Sequence, residues 1–520
     1  MQGVAWPRAV LLCGLAVLSG CASGGGPQPR NGGTLYAALP ADPPSLNPLV
    51  ARDPVSLRAY LPLFPLLYQA HSDLSVTADL AAGLPAFSDS GKTLTVPLRP
   101  DAKWSDGKPI TADDVVFTVR VELDPRLAAA SRYDWGPLVS VQTVDAHTVR
   151  FKLSSADAAF LADQLVTPIV PVHVLGSVDP GAMNSAPYSS APNVTGGPFR
   201  FNHRDAGKAI YFDANRSYYQ GTPHVAHMVE LITADASAPA ELGEGKLSWD
   251  PDMSPATAAQ AVIASGVSVN SFADTSFVAL QFNMRTGRPF APLNARRALA
   301  YSLDHDAIVG QATGTNQGLP VWSDINPSSW ASSGAMHYAP DTAHATQLLQ
   351  GQHPTGSIIY PQSDGQRAAA AMLIARQSHG SGFALTPQAL SDDAFGTALS
   401  NGDFDVALVS IATHLDPDNA ALFATNGPLN YGAYSNPNVD KLLGAELSAA
   451  PANSVDLQHT RAQLFAQLEQ QVTGDVACYF LWAPRHFMGF SATLGGVAAV
   501  GVHLDGDRNN HVLLDWFLTG

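Results

Sequence analysis

The stretch LAAGLPAFSDSGKTLTVPLRPDAKWSDGKPITADDVVFTVRVELDP, residues 80–125, places a turn, a strand and a helix side by side. In KTLTVPLRP, Leu94, Val96 and Leu98 alternate with Thr93, Thr95 and Pro97, the period of a half-buried strand. Pro97 has no amide to give a ladder, which predicts an edge strand. Asp89-Ser90-Gly91-Lys92 before it reads as a hairpin turn. The run SDSGKT is not a phosphate loop, because Ala86 stands where a glycine is needed and a strand follows instead of a helix. ITADDVVFTVRVEL then opens a helix. Thr111 is its N-cap, Asp114 completes an aspartate version of the capping box, and Val115, Val116 and Val119 form its apolar face.

The same mixture continues outward. GGTLYAAL reads as a strand, with Leu35, Ala37 and Leu39 set against Thr34, Tyr36 and Ala38. FAPLNARRALAYSLDHDAIVG reads as one helix, with Pro292 at its first position. VDLQHTRAQLFAQLEQQV is a further helix, on which Leu457, Arg461, Leu464, Leu468 and Val472 share helical spacing. DVACYFLW follows as a buried strand. Helices and strands that intermix along the whole chain predict the α/β class.

Before residue 34 the character changes. Arg8 is the only charge ahead of an apolar run of about a dozen residues, too short to span a bilayer, which needs ~20. The run ends in LSGC, so residues 1–20 read as a signal peptide and Cys21 as a lipidated cysteine, with palmitate or a similar acyl chain as membrane anchor. ASGGGPQPRNGG would be a flexible tether. The formal net charge is −16, and removing residues 1–20 leaves the remainder near −17. That charge argues against nucleic acid and against a basic membrane-binding patch. Three cysteines are present, and Cys478 alone lies beyond the tether, so no internal disulfide is expected.

No G-x-S-x-G elbow and no H-E-x-x-H motif occurs. His224 and His227 have ligand-like spacing but no third ligand near them in sequence. No enzyme activity and no cofactor is expected.

Five segments in order resemble one family: residues 32–49, residues 80–125, residues 196–232, VALQFNMRTGRPFAPLNARRALAYSLDHDAIV, and FDVALVSIATHLDPDNAALF with YSNPNVDKLL. Together they resemble the extracytoplasmic solute-binding proteins of family 5, the peptide- and nickel-type substrate-binding lipoproteins of ABC importers. The resemblance implies a two-lobed periplasmic-binding-protein-like fold with an additional subdomain inserted in the first lobe. It places the lobe I core at residues 34–52, 189–272 and 485–520, the insertion at 53–188 and lobe II at 273–484. The implied function is capture of a short peptide or similar small polar solute in the interlobe cleft and delivery to permease subunits. The implied partners are that ligand, the permease and, through the lipid, the outer face of the cytoplasmic membrane or the periplasm; a monomer is expected.

Peptide-binding members usually carry an aspartate before a D-P-D-N-like turn, where it meets the ligand's amino group. Here Ile411-Ala412-Thr413-His414-Leu415 precedes Asp416-Pro417-Asp418-Asn419, and the position falls on His414 or Thr413. The framework is kept and the ligand contacts are changed. The expected ligand-binding residues are Leu39, Pro40, Ala41, Asp42, Asn283, Trp322, Ile411, Thr413, His414, Asp416, Tyr431 and Trp482. Trp330 is a further aromatic candidate. No metal ligand is assigned. The alternatives are a nickel- or metal-chelate-binding importer subunit, for which His414 speaks, and a non-transporting sensor or envelope-assembly lipoprotein of the same fold.

Overall fold

The strand Cys478–Ser491 is the seam of the molecule, and it belongs to two sheets at once. In the computed structural model, which describes residues 29–127, 135–314, 317–449, 454–497 and 512–519, its first half runs antiparallel to Phe277–Phe282, with Gln281 opposite Cys478 and Val278 opposite Trp482. Its second half pairs with Val267–Ala273, from Ala273 opposite Arg485 to Val267 opposite Ser491, and with Trp249–Met253. The chain therefore passes between two bodies along this strand and along the short link between Ala273 and Phe277. Cys21 and the rest of residues 1–28 lie outside the described residues.

In the first body the sheet continues from Trp249–Met253 through Thr34–Leu39, His227–Ile232 and Ala209–Ala214 to Phe199–Asp205. Thr34–Leu39 lies parallel to both its neighbours, and Ala38 is buried along with Leu35, Ala37 and Leu39. The expected alternation holds at Tyr36, which is exposed, and is filled in at Ala38, where the second face of the sheet is covered too. In the second body the order is Phe277–Phe282, Val406–Ile411, Thr355–Pro361, Ala384–Leu390. The runs FVALQF and VALVSI, apolar but for Gln281 and Ser410, are covered on both faces: Leu280 and Leu408 feed one core cluster, Ala279, Ala407 and Val409 the other. At Gly489, on the seam, an added Cβ would run into Met253 and Leu242, so only glycine lets that layer close on the strand.

The inserted body is a four-stranded antiparallel sheet, Ala86–Ser88, Thr93–Pro97, Thr148–Leu153, Leu138–Asp145, packed by the helix Ala112–Glu122. The capping box of Thr111 and Asp114 is present. Asp114 also accepts from the Val172 amide at 2.9 Å and the Trp104 indole at 3.3 Å. Asp79 is a second buried hub. It accepts from the Leu66 amide at 2.9 Å, from Tyr218 and Tyr219 at 3.1 and 2.7 Å, and from Gln220, tying the insertion to the first body. Burial pushes its carboxyl above the usual range against those donors.

Three local expectations are corrected. Thr93–Pro97 is an interior strand, paired on both sides; Pro97 is tolerated because it is the last residue, past the end of the Ala86↔Thr95 pairing. The stretch read as one helix is two, Leu293–Tyr301 and His305–Thr313, because the Asp304 carboxylate caps the second by accepting from the Ala307 amide. Pro292 is the N-cap of the first and not its first helical residue.

Candidate ligand-binding site between the lobes

Where the chain crosses between the bodies, charge collects. His486, on the seam strand, donates to Asp274 at 3.1 Å and pairs with Asp252 of the first body at 3.7 Å. Arg58 approaches Asp252 from its other side at 3.6 Å. Burial alone would lower the imidazole, but the two carboxylates hold it up at about 9, so it is an imidazolium at neutral pH. Phe272 stacks on the ring at 5.6 Å. Asp250, beside this group, is pushed up to about 6 by burial.

The second concentration lies where the inserted body meets the second lobe. The loop after Val406–Ile411 carries Leu415 into the core of the insertion. Three backbone amides bridge the same junction: Ala158 to the Leu447 carbonyl at 2.9 Å, Trp330 to the Asp73 carbonyl at 2.8 Å, and Asp416 to the Asp163 carboxylate at 3.0 Å. Behind the loop Arg461 holds Asp416 with both terminal nitrogens at 2.6 Å and Glu446 at 2.6 and 3.0 Å, with the rings of Trp330 and Phe465 over its guanidinium. Burial would lower the Arg461 pKa, yet the two carboxylates raise it overall. Burial, with the charges of Asp416 and Asp418, pushes Glu446 up to about 9 despite Arg461. A cavity of about 250 Å³ remains at this junction, walled by Leu74, Leu84, Leu161 and Ala162 of the insertion and by Trp330, Leu457 and Arg461 of the second lobe. It is large enough for part of a small organic ligand and mostly apolar, the usual make-up of a ligand cavity.

The middle-region model of the bacterial extracellular solute-binding proteins, family 5, matches residues 75–432, more than half the chain. The chain belongs to the family 5 solute-binding proteins. The oligopeptide-binding protein AppA of Bacillus subtilis (strain 168) is 25% identical over 90% of this chain and 89% of its own. Protein XP55 of Streptomyces lividans is 26% identical over 86% and 83%. Among solved structures, the ABC transporter substrate-binding protein CtaP of Listeria monocytogenes superposes with a TM-score of 0.74 at 24% identity, over 94% of this chain and all of that one. The fold is therefore the two-lobed one of periplasmic binding proteins.

In this family 5 protein the expected ligand residues fall into two sets. Thr413, His414 and Asp416 lie together on the loop that meets the insertion, following Ile411, which is buried opposite Phe277. Thr413 donates to the Thr275 carbonyl beside the crossing, and His414 is exposed. Pro40 and Ala41 are exposed at the end of Thr34–Leu39. Asp42 accepts from Arg204 and from the Gly207 amide at 2.8 Å, within the first body.

The others serve the fold. Leu39 is core, and Trp482 is 1% exposed between strands on both sides. Asn283 is fully buried, its amide donating to the Gly402 and Phe404 carbonyls at 2.8 Å. Trp322 lies between the rings of His305 and His337, at 3.7 and 4.3 Å. Tyr431 packs against a second-lobe core cluster, and its carbonyl accepts from Arg285 at 2.8 Å. Trp482 and Asn283 thus have no open face for a ligand, whereas Trp322 stays half-buried.

Sequence reasoning missed Arg58, Asp252, Asp274 and His486 at the crossing, and Asp157, Asp163, Glu446 and Arg461 at the junction. Among the described residues no group of three or more His, Cys, Asp or Glu is arranged to hold a metal ion, and no helix is long and apolar enough to cross a membrane. His224 and His227 instead meet Asn31 and Asp213, each at 2.7 Å.

Proposed function

We propose that this protein is the substrate-binding lipoprotein of an ABC importer. It takes a short peptide or similar small polar solute between its lobes, closes on it, and passes it to a membrane permease while an acylated Cys21 keeps it at the envelope. The moving bodies in this reading are residues 273–484 on one side and 34–272 with 485–520 on the other. The observation that carries it is the junction itself: two bodies joined covalently only through the crossing touch again at Leu415, Asp416 and Trp330 around a cavity. Such an arrangement opens and shuts about a hinge. The family's peptide-binding relatives support peptide as the ligand class. Ligand contacts are proposed on Pro40, Ala41, Thr413 and His414, the expected residues that stand at the lobe edges with exposed or half-buried side chains.

The test is native mass spectrometry on protein purified without denaturation, followed by small-angle scattering with the peptides found or with pooled di- to pentapeptides. A retained peptide and a smaller radius of gyration on its return are expected. Absence of any peptide complex at millimolar peptide, with an unchanged radius, refutes the reading.

A further inference from the structure

Two strongly exposed apolar side chains stand next to each other on the first body. Val262 is 66% and Ile263 85% exposed, in the turn that links the helix Pro255–Ala261 to the strand Val267–Ala273. Tyr36, 36% exposed, belongs to the same surface. It stands two residues before Ala38, which packs with Leu242 and Ala258 of the helices on that face of the sheet, whereas Leu35, Ala37 and Leu39 feed the core on the other. Backbone hydrogen bonds define the edge they share. The Ser248 amide donates to the Tyr36 carbonyl at 2.7 Å, Ser491 to Ser248 at 3.0 Å and Ala492 to Gly266 at 2.8 Å. Gly243 lies so near the Ser265 carbonyl that an added Cβ would sit 3.1 Å from it. Next to Gly243, Glu244 is paired with Lys246 at 2.6 Å, both exposed, so that charge is balanced. Exposed aliphatic residues scattered singly are ordinary; an adjoining pair with a tyrosine on the same face is the make-up of an interfacial contact.

The N-terminal segment enters the body at this same edge. The Gly32 amide donates to the His224 carbonyl at 2.7 Å, and the Ala226 amide to the Gly33 carbonyl at 3.1 Å, just ahead of Thr34–Leu39. The strands lie in the order Val267–Ala273, Cys478–Ser491, Trp249–Met253, Thr34–Leu39, so three strand spacings, about 14 Å, separate the first from the last. Cys21 is thirteen residue steps before Thr34, a reach of about 45 Å at most. A lipid on Cys21 therefore keeps the bilayer within reach of all three side chains. We infer that this edge of the first body rests on the lipid surface, with Val262 and Ile263 entering the headgroup boundary and Tyr36 beside them at the interface. The inference rests on Cys21 as the membrane anchor, proposed above. A net charge of −16 offers no electrostatic hold, so the contact is apolar. Three side chains hold a free protein on a bilayer only weakly, but a short tether makes the contact intramolecular, at an effective concentration of about millimolar. The crossing lies at the far end of Val267–Ala273, about 20 Å away, so this contact turns the cleft toward the medium from which a solute arrives.

The experiment couples the chain from Cys21 onward, through the Cys21 thiol, to a maleimide lipid in phosphatidylcholine vesicles, with Cys478 buried and unreactive. Coupling is chemical, so the outcome does not depend on whether the cell acylates Cys21, and failure here is separable from failure of the lipoprotein reading. Hydrogen exchange of residues 258–266 is followed by mass spectrometry in coupled and uncoupled protein. Coupling is expected to slow exchange there at least threefold and to leave residues 271–276 at the crossing unchanged. The double variant Val262→Ser/Ile263→Ser alters two exposed positions, so its fold is kept, and coupling should no longer slow its exchange. Equal rates in coupled and uncoupled parent, slowing that spreads equally to the crossing, or a double variant that keeps the slowing overturns the inference. Slowing at 258–266 in uncoupled parent as protein concentration rises would assign the face to a second copy of the chain and overturns it too.

Discussion

Arg461 and Asp416 form a two-pronged ion pair, both nitrogen–oxygen distances 2.6 Å and both side chains 3% exposed or less, at the base of the loop that meets the insertion. The geometry fixes the loop in the one orientation that sends Leu415 outward into the neighbouring body. Glu446 completes the grip.

Removing the guanidinium leaves the buried Asp416 carboxylate without its counter-charge. Arg461→Met is therefore expected to destabilise the protein by about 3–5 kcal/mol in denaturant unfolding. Arg461→Lys should recover only part of that, because an ammonium cannot take Asp416 in two prongs while also holding Glu446. A loss under about 1 kcal/mol for Arg461→Met would show that water or a rearranged loop replaces the pair.

How far this was legible in the sequence depends on how local each feature is. The Thr111–Asp114 box, the Asp89–Lys92 turn and the helix Ser454–Gly474 were legible because neighbouring residues carry them. Arg461 left a signal that went unread: it occupies the apolar stripe between Leu457 and Leu464, where an arginine implies a buried partner. Its partner Asp416 is 45 positions away, and His486 and Asp274 are 212 apart, distances no periodicity reaches. Trp482 shows the converse limit. Its strand was read correctly, but alternation cannot mark a ligand face in a strand whose two faces are both covered.

Cys21 lies outside the described residues, so the anchor rests on the chemistry of LSGC alone. Only a thiol can carry the thioether-linked acyl group. Cys21→Ala should move the protein from the detergent phase to the aqueous phase on temperature-induced partitioning. Equal partitioning of variant and parent would exclude acylation at this residue.

The crossing supplies a pH signature of its own. His486 is raised from the ordinary ~6.5 to about 9, so its stabilisation is complete below ~6.5 and is lost as pH rises through about 9. A shift of that size corresponds to about 3 kcal/mol at most. His486→Gln should be less stable than the parent at pH 6, and the gap should narrow steadily toward pH 10. Urea unfolding at several pH values measures it. A gap that is constant across the range would mean that the imidazole acts by packing on Phe272 and not by charge.

His414 decides what the altered loop does to ligand choice. The side chain is exposed, and the loop conformation is held on either side by Thr413 on the Thr275 carbonyl and Asp416 on Arg461. Residue 414 can therefore be exchanged at little structural cost, and any change in binding reports recognition. With no carboxylate at this position, a peptide's free amino group should matter less than in relatives that have one. N-acetylated and free forms of one peptide should bind the parent within about tenfold, that is ~1.4 kcal/mol. His414→Asp puts a carboxylate at the lobe edge, where closure thins the water around it and strengthens its attraction for an ammonium. The variant should then prefer the free amine by more than tenfold, with unfolding stability unchanged. Calorimetry on both proteins with both peptides settles it. If acetylation abolishes binding to the parent, another acid already receives the amine, and Asp252 and Asp274 at the crossing are the ones to replace next, since both are part exposed there.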